Sequence, residues 1–337
     1  MKQTRMALIG LGGWGSNIFK ALERIDEVEL VAVCDQDTAR LNTVTKRNPH
    51  ITPFETVDAL ISGCKIDAAV IATPSPTHAE LSRTFLELDT PVFVEKPMAL
   101  SVSDAEDLVD ISQKKKLPLM VGHLLIYHPA VELTKSIIDS GELGDVYYIY
   151  SKRINLGVVR EDENALWSLA PHDVSLVNHF MKDHPHQISA HGSSFLRKGV
   201  EDVVFCNLDY PNGCMAQIHV SWLDPHKERK LVVVGSKKML VFDDMQANEK
   251  IRIYNKGADV KPTTGFGEAI LVRHGDIKIP LVPGTEPLVK EMKHFASCVR
   301  EKTDPISGPE EGLAVVKILE AGQHSLKNGG EVHTLDL

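Results

Sequence analysis

The sequence predicts an α/β protein of two domains. The first, over residues 1–122, is built on a parallel sheet with helices on its faces; the second, over 123–337, is an α+β domain with a large open antiparallel sheet. Three observations carry this. Short apolar runs alternate with longer amphipathic segments through the first 122 residues, the rhythm of strand–helix–strand units. From 187 to 254, strand-like segments follow one another with little room for helices. And 337 residues, 43% hydrophobic and 25% charged, suffice for two cores of ordinary composition.

Residues 6–9, 28–33, 68–71, 91–94 and 119–121 read as strands, and 16–24, 57–62, 76–88 and 103–114 as helices. The last helix has Ser101 or Ser103 as its N-cap, with Asp104 and Glu106 in the first turn, where the helix dipole favours acids. After Gly122 the rhythm changes. A helix over 129–139 leads through a glycine turn at 141–144 to a strand over 146–154, and a second helix is expected over 171–181. Strands follow at 203–208, 214–220, 230–234, 239–242 and 251–254, separated by turn signals such as Pro211-Asn212-Gly213. Helices over 288–299 and 310–326 close the chain.

The first turn carries the most specific motif. Gly10-Leu11-Gly12-Gly13-Trp14-Gly15 follows a strand, opens a helix, and is followed 20 residues after Gly15 by Asp35 at the end of the second strand. That context is the dinucleotide fingerprint of a Rossmann domain. Gly10 permits the tight turn, Gly12 lets the backbone approach a pyrophosphate, and Gly15 lets helix and strand pack closely. Gly13 and Trp14 complete the turn, and the helix N-terminus offers N–H groups to the phosphates. Asp35 would accept hydrogen bonds from the adenosine ribose and repel a 2′-phosphate, so NAD is expected over NADP. Arg40 is grouped with this set, although by itself it reads as a surface cation on the next helix.

The formal charge of -9, from 46 acidic and 37 basic residues, argues against nucleic acid or an anionic membrane as the main partner. No run approaches the roughly 18 to 20 apolar residues of a membrane span, and the start lacks a signal-peptide core, so a cytoplasmic protein is expected. Cys34, Cys64, Cys206, Cys214 and Cys298 are scattered, with no C-x-x-C pair, and read as small buried side chains. His179, His184, His186 and His191 invite a metal reading, but Pro185 breaks any shared helix face and no metal site is expected.

Glu95-Lys96-Pro97-Met98-Ala99-Leu100, following a strand of this fold, resembles the glucose-fructose oxidoreductase / inositol dehydrogenase / MocA (Gfo/Idh/MocA) family. Ala72-Thr73-Pro74-Ser75-Pro76-Thr77-His78 carries the same resemblance, which covers essentially the whole chain, specifically in the N-terminal motifs and more loosely beyond them. It implies that Lys96 lies beside the nicotinamide and touches the reacting hydroxyl, in a turn shaped by Glu95 and Pro97 whose Lys-Pro bond is often cis. Thr73, Pro74, Ser75 and His78 join the implied cofactor contacts. A partly desolvated lysine near a cationic ring should have its pKa lowered; taken alone, Lys96 would read as a solvated surface lysine.

The resemblance also implies a histidine at the start of a second-domain helix, four residues after an Asp. In Trp167-Ser168-Leu169-Ala170-Pro171-His172-Asp173 the histidine position is His172, and Ser168 stands where Asp is common. With Pro171 as the first helical residue, His172 is expected in the first turn, where the dipole favours a neutral imidazole able to take a proton. Asp173 would favour imidazolium, orient the ring or bind substrate; a helix-capping histidine without catalysis is the alternative. The implied reaction removes a sugar hydroxyl proton through His172, assisted by Lys96, as hydride passes to NAD.

The segment 122–130, with Tyr127 and His128, joins the domains and should face the cleft between them. With Arg153, Asn155 and Trp167, it is similar to the branch that oxidises the C3 hydroxyl of UDP-N-acetylglucosamine or its uronate. Arg153 and Arg160 could clamp a pyrophosphate, while Tyr127, His128, Asn155 and Trp167 line the sugar. A charged strand edge accounts equally well for the arginines. Other readings are an inositol or free-sugar dehydrogenase, redox-assisted glycoside cleavage, and a non-catalytic NAD-dependent sensor. A homodimer or homotetramer through the open sheet is expected by resemblance.

Overall fold

A computed structural model of the protein describes residues 3–157, 159, 160, 163–262 and 268–337. The chain divides into two compact units. One is Met1–Tyr127 with Glu286–Lys317; the other is His128–Thr285 with Ile318–Leu337. The expected boundary at 122/123 lies close to the crossing at Tyr127/His128, but a single cut leaves out the returning segment Glu286–Lys317. That segment returns because Leu288, Met292, Phe295 and Ala296 are buried in one apolar cluster with Met6, Leu8, Phe93 and Met120.

The first unit runs β1 (Thr4–Ile9), α1 (Gly15–Leu22), β2 (Val28–Cys34), α2 (Thr38–Arg47), β3 (Thr52–Phe54), α3 (Val57–Gly63), β4 (Ala68–Ile71), α4 (His78–Glu87), β5 (Val92–Glu95), α5 (Val102–Lys115) and β6 (Leu119–Gly122). Its six strands are parallel in the order β3-β2-β1-β4-β5-β6, the doubly wound order of a Rossmann fold. Strands β4, β5 and β6 are buried at every position, which is why they read as unbroken apolar runs. Ser101 is the N-cap of α5, accepting from the Asp104 N–H at 3.1 Å. The strand β3 is not among the expected elements, being three largely exposed residues, and α2, the helix expected to carry Arg40, buries only Leu41, so neither writes an apolar period that would fix its bounds.

The second unit runs α6 (Pro129–Asp139), β7 (Val146–Ile154), α7 (Ala165–Met181), β8 (Gln187–Ser193), β9 (Val203–Asp209), β10 (Met215–Ser221), β11 (Glu228–Gly235), β12 (Met239–Asp243), β13 (Ile251–Tyr254), β14 (Gly257–Pro262), β15 (Glu268–Arg273) and β16 (Ile277–Lys278). The returning helices are α8 (Pro287–Glu301) and α9 (Pro309–Lys327), and β17 (His333–Thr334) ends the chain. Nine strands form one sheet, in the order β16-β13-β12-β11-β7-β10-β9-β8-β17. It is open and antiparallel throughout except that β10 pairs with β7 in parallel, because α7, β8 and β9 intervene and reverse the chain. Ile149, Ser151, Ile218 and Val220 are buried on the face toward α7, whereas Tyr148, Phe205 and Met215 on the other are exposed. No described helix is long and apolar enough to cross a membrane.

Candidate active site

In the first unit the glycine turn has distinct requirements at each position. Gly10 sits at φ +95°, and a Cβ there would lie 2.5 Å from the Ala72 carbonyl oxygen; a Cβ on Gly15 would strike the Gly10 carbonyl. By contrast, a Cβ on Gly13 would meet nothing within 4 Å, and one on Gly12 only the Arg40 guanidinium at 3.9 Å. Gly10 and Gly15 therefore answer to packing, and Gly12 and Gly13 leave the backbone bare for a ligand. The Asp35 carboxylate accepts from the Leu11 N–H at 2.6 Å and the Asp37 N–H at 2.8 Å, tying the end of β2 to the turn. Arg40 is more than a surface cation: it lies 3.5 Å from Asp35 and 3.1 Å from Asp37.

The ends of β4 and β5 are braced together from within. His78 is buried, with Nδ1 2.7 Å from the Pro97 carbonyl and Nε2 2.9 Å from the Thr73 carbonyl, so it holds two turns rather than presenting a ring to a cofactor. Thr77 donates to Pro74 O at 2.8 Å, and its hydroxyl pairs with that of Thr73 at 2.7 Å. The Lys96-Pro97 bond is cis. Beside it the Glu95 carboxylate, 9% exposed, accepts from the Trp14 indole N–H and, at 3.3 Å, from the Lys96 N–H. Glycine at 122 makes room for it, since a Cβ there would lie 3.0 Å from that carboxyl group.

The charges in this corner are set by burial. Desolvation pushes Glu95 up to about 7, against the indole bond and the Lys96 charge. Desolvation, then the same lysine, pushes His123 down to about 3, leaving a neutral buried ring. Glu291 of α8 is wholly buried and held well above the ordinary carboxyl range by burial first and by Glu95 second. Tyr127, expected to line a sugar site, instead lies in the apolar cluster with its hydroxyl 3.2 Å from Ser307 Oγ, and burial raises the phenol.

In the second unit the expected substrate residues separate into two kinds. His128 caps α6, its Nδ1 accepting from the Ala130 N–H at 3.0 Å, and its Nε2 lies 3.6 Å from Asp244. Burial lowers its pKa despite that carboxylate. Arg153 grips Asp173 with two bonds, Nε to Oδ2 at 2.6 Å and Nη2 to Oδ1 at 3.4 Å, both side chains nearly buried. Neither end of that pair is open to the roles expected for it, a pyrophosphate clamp and an orienter of His172. Arg160 pairs with Glu163 at 3.0 Å and is half exposed. Asn155 is half-buried, its N–H bonded to Ser221 O at 3.1 Å.

Helix α7 starts at Ala165 rather than Pro171, because Asn164 is the N-cap and accepts from the Trp167 N–H at 3.1 Å. His172 is therefore mid-helix, and the first-turn dipole does not explain a neutral imidazole there. The longer helix does put Ser168 and His172 one turn apart on one face, with Trp167 half-buried beside Ser168. Sequence reasoning missed Arg229, which stands opposite Arg153 in the β11–β7 register and is 45% exposed, 3.9 Å from Asp244. In Lys227-Glu228-Arg229-Lys230 it reads only as a charged strand start. Among the described residues no group of three or more His, Cys, Asp or Glu side chains is placed to hold a metal ion.

Residues 4–123 match the model of an oxidoreductase family with an NAD-binding Rossmann fold, and residues 131–241 match the Gfo/Idh/MocA C-terminal domain. The chain belongs to the Gfo/Idh/MocA family. It is 23% identical to the inositol 2-dehydrogenase of Rhizobium meliloti, over 96% of this chain and 96% of that protein. It is 22% identical to the 2,7-anhydro-N-acetylneuraminate hydratase of Escherichia coli, over 73% of this chain and 69% of that one. The solved UDP-N-acetylglucosamine 3-dehydrogenase of Acidithiobacillus ferrooxidans superposes with a TM-score of 0.81 at 20% identity, covering 97% of this chain and 99% of that one.

As a Gfo/Idh/MocA oxidoreductase, the protein binds NAD on the Rossmann domain of its first unit. The residues present fit that cofactor, with Gly12 and Gly13 leaving bare backbone at the N-terminus of α1. Asp35 is the acidic group at the end of β2 that suits ribose hydroxyls. NAD supplies the hydride acceptor; placing and deprotonating the substrate falls to side chains.

Proposed function

We propose that the protein oxidises a secondary hydroxyl of a sugar to the ketone, and that its substrate is a UDP-N-acetylhexosamine or the corresponding uronate, oxidised at C3. In this reading Lys96 contacts the reacting hydroxyl and His172 takes its proton. NAD bound at the glycine turn would supply the hydride acceptor, and the chain's own part is to leave the hydroxyl proton on the His172 imidazole. The observation that carries the reading is Lys96 itself, at the end of β5 with the buried Glu95 carboxylate bonded to its backbone N–H. The named activity of the Acidithiobacillus relative supports the substrate. So does Arg229, a cation one strand from Arg153 and bound only loosely, which takes the phosphate-facing role alongside Arg160. The open sheet face, with Tyr148, Tyr150 and Phe205, is assigned to a second copy of the chain, which light scattering would test.

Incubating the purified protein with NAD and a panel of UDP-sugars, free sugars and inositols, while following nicotinamide absorbance, tests the substrate. Reduction with a UDP-N-acetylhexosamine or uronate is expected, and activity confined to free polyols would overturn the choice. The Escherichia coli hydratase relative favours a second reading, in which oxidation is transient and a glycosidic bond is opened without net reduction. Product formed without accumulation of reduced cofactor would identify it.

A further inference from the structure

Glu291 is a buried acid that the chemistry proposed for Lys96 and His172 leaves unused. Its position follows from packing. Phe93 and Glu95 are two apart on β5 and share a face. Glu291 and Phe295 are four apart on α8 and share another. The rings of Phe93 and Phe295 meet at 5.9 Å, which sets Glu291 against Glu95. Gly122 faces the same side of the sheet, since a Cβ there would come within 3.0 Å of both Phe93 and the Glu95 carboxyl. Glu291 is 0% exposed, and neither of its carboxyl oxygens has a hydrogen-bond partner among the described residues. Two carboxylates in one dry pocket cannot both ionise, and the one that keeps the charge is the one with donors. Glu95 has the Trp14 indole and the Lys96 amide; Glu291 has neither.

We propose that Glu291 is a positioning residue: it shares the pocket with Glu95 as the protonated member of an acid pair, and by staying neutral holds the Glu95 carboxylate against Trp14 and Lys96. The pair thereby links the glycine turn to the lysine turn. The groups facing it are Lys96, whose charge reaches Glu95, the neutral His123 ring, and Tyr127, whose phenol burial keeps protonated. His294 of α8 lies beyond the Tyr127 ring, 5.6 Å from it, and burial lowers its pKa. The inference rests on the lysine turn being the site, and not on the identity of the sugar.

The test uses the NAD-free protein, so it stands apart from any failure of the substrate panel. Trp14 donates to Glu95, so its fluorescence, taken as the difference between wild type and Trp14→Phe, reports the pair as pH is raised. Two steps are expected: one near 7, when Glu95 ionises, and one at alkaline pH, when Glu291 does. Glu291→Gln should keep the lower step within about half a pH unit and abolish the upper. A lower step displaced downward by about one unit or more would show that Glu291 is already ionised at neutral pH, and would overturn the proposal. So would an upper step that survives in Glu291→Gln. Infrared spectra of wild type with carbon-13 glutamate give an answer even if that variant fails to fold. A protonated carboxyl band must persist at about pH 8, and its absence refutes the pair.

Discussion

Replacing Glu95 by Gln keeps the volume and an acceptor for the Trp14 indole while removing the ionisation. In the folded protein this carboxyl is raised from 4.5 to about 7, chiefly by desolvation. An acid whose folded pKa is raised costs stability as pH climbs from the unfolded value: the unfolded chain releases its proton near 4.5, while the folded chain holds on to it until about 7. Each pKa unit corresponds to about 1.4 kcal/mol, so wild type loses roughly 3 kcal/mol over that window that Glu95→Gln does not lose. Urea unfolding of both proteins at stepped pH reads this directly, provided the urea slope m is unchanged. The stability of the variant relative to wild type should rise by roughly 3 kcal/mol between pH 4.5 and 7 and then level off. A gap independent of pH would refute the reasoning, and a gap that narrows with pH would mean that the indole and amide outweigh burial.

Lys96→Met should lower kcat/KM by about 100-fold or more while leaving NAD binding within a few-fold, measured by steady-state kinetics and calorimetry; retained turnover would remove Lys96 from the chemistry. Arg153→Ala strands the nearly buried Asp173 and should cost about 3 to 5 kcal/mol of stability in urea unfolding. Arg229→Ala, by contrast, should leave stability within about 0.5 kcal/mol and raise KM for an anionic sugar far more than it lowers kcat. Asp35→Ser removes the charge that repels a 2′-phosphate and leaves Arg40 beside Gly12, so kcat/KM with NADP should rise about tenfold or more relative to NAD.

What was legible in the sequence is what a local pattern can write. The strand, glycine turn and helix at Met6 to Leu22 and the buried runs of β4 to β6 are each set by neighbours within a few residues, through φ, burial on both faces, or a cap. Helix α6 was legible to the residue because His128 caps it and Pro129 opens it. Helix α7 was read six residues short because Pro171 is a good first-turn residue, and the capping side chain of Asn164 looks like any loop asparagine. The β7–β10 pairing is parallel for a reason that no strand-length window contains: it is decided by what lies between the two strands.

The candidate site follows the same division, and there the illegible part carries the energetics. Gly10, Gly15, Asp35 and Lys96 are fixed by motif spacing, but Glu95 gets its raised pKa from a strand, a turn and a helix that meet only in space. The indole of Trp14 is 81 residues away, and the Glu291 carboxyl lies on the returning helix. In the sequence Glu291 is one charge within Lys290-Glu291-Met292-Lys293, where helical spacing gives a surface residue as readily as a core one. What decides is the packing of Leu288, Met292 and Phe295 against the sheet, which turns the same face of α8, and Glu291 with it, away from water. Burying Leu288, Met292 and Phe295 together offsets a cost of several kcal/mol that an isolated acid could not bear. A titratable residue kept at such a cost in a dry pocket beside Glu95 is where a proton is held, and its ionisation is the step that should break the link between Trp14 and Lys96.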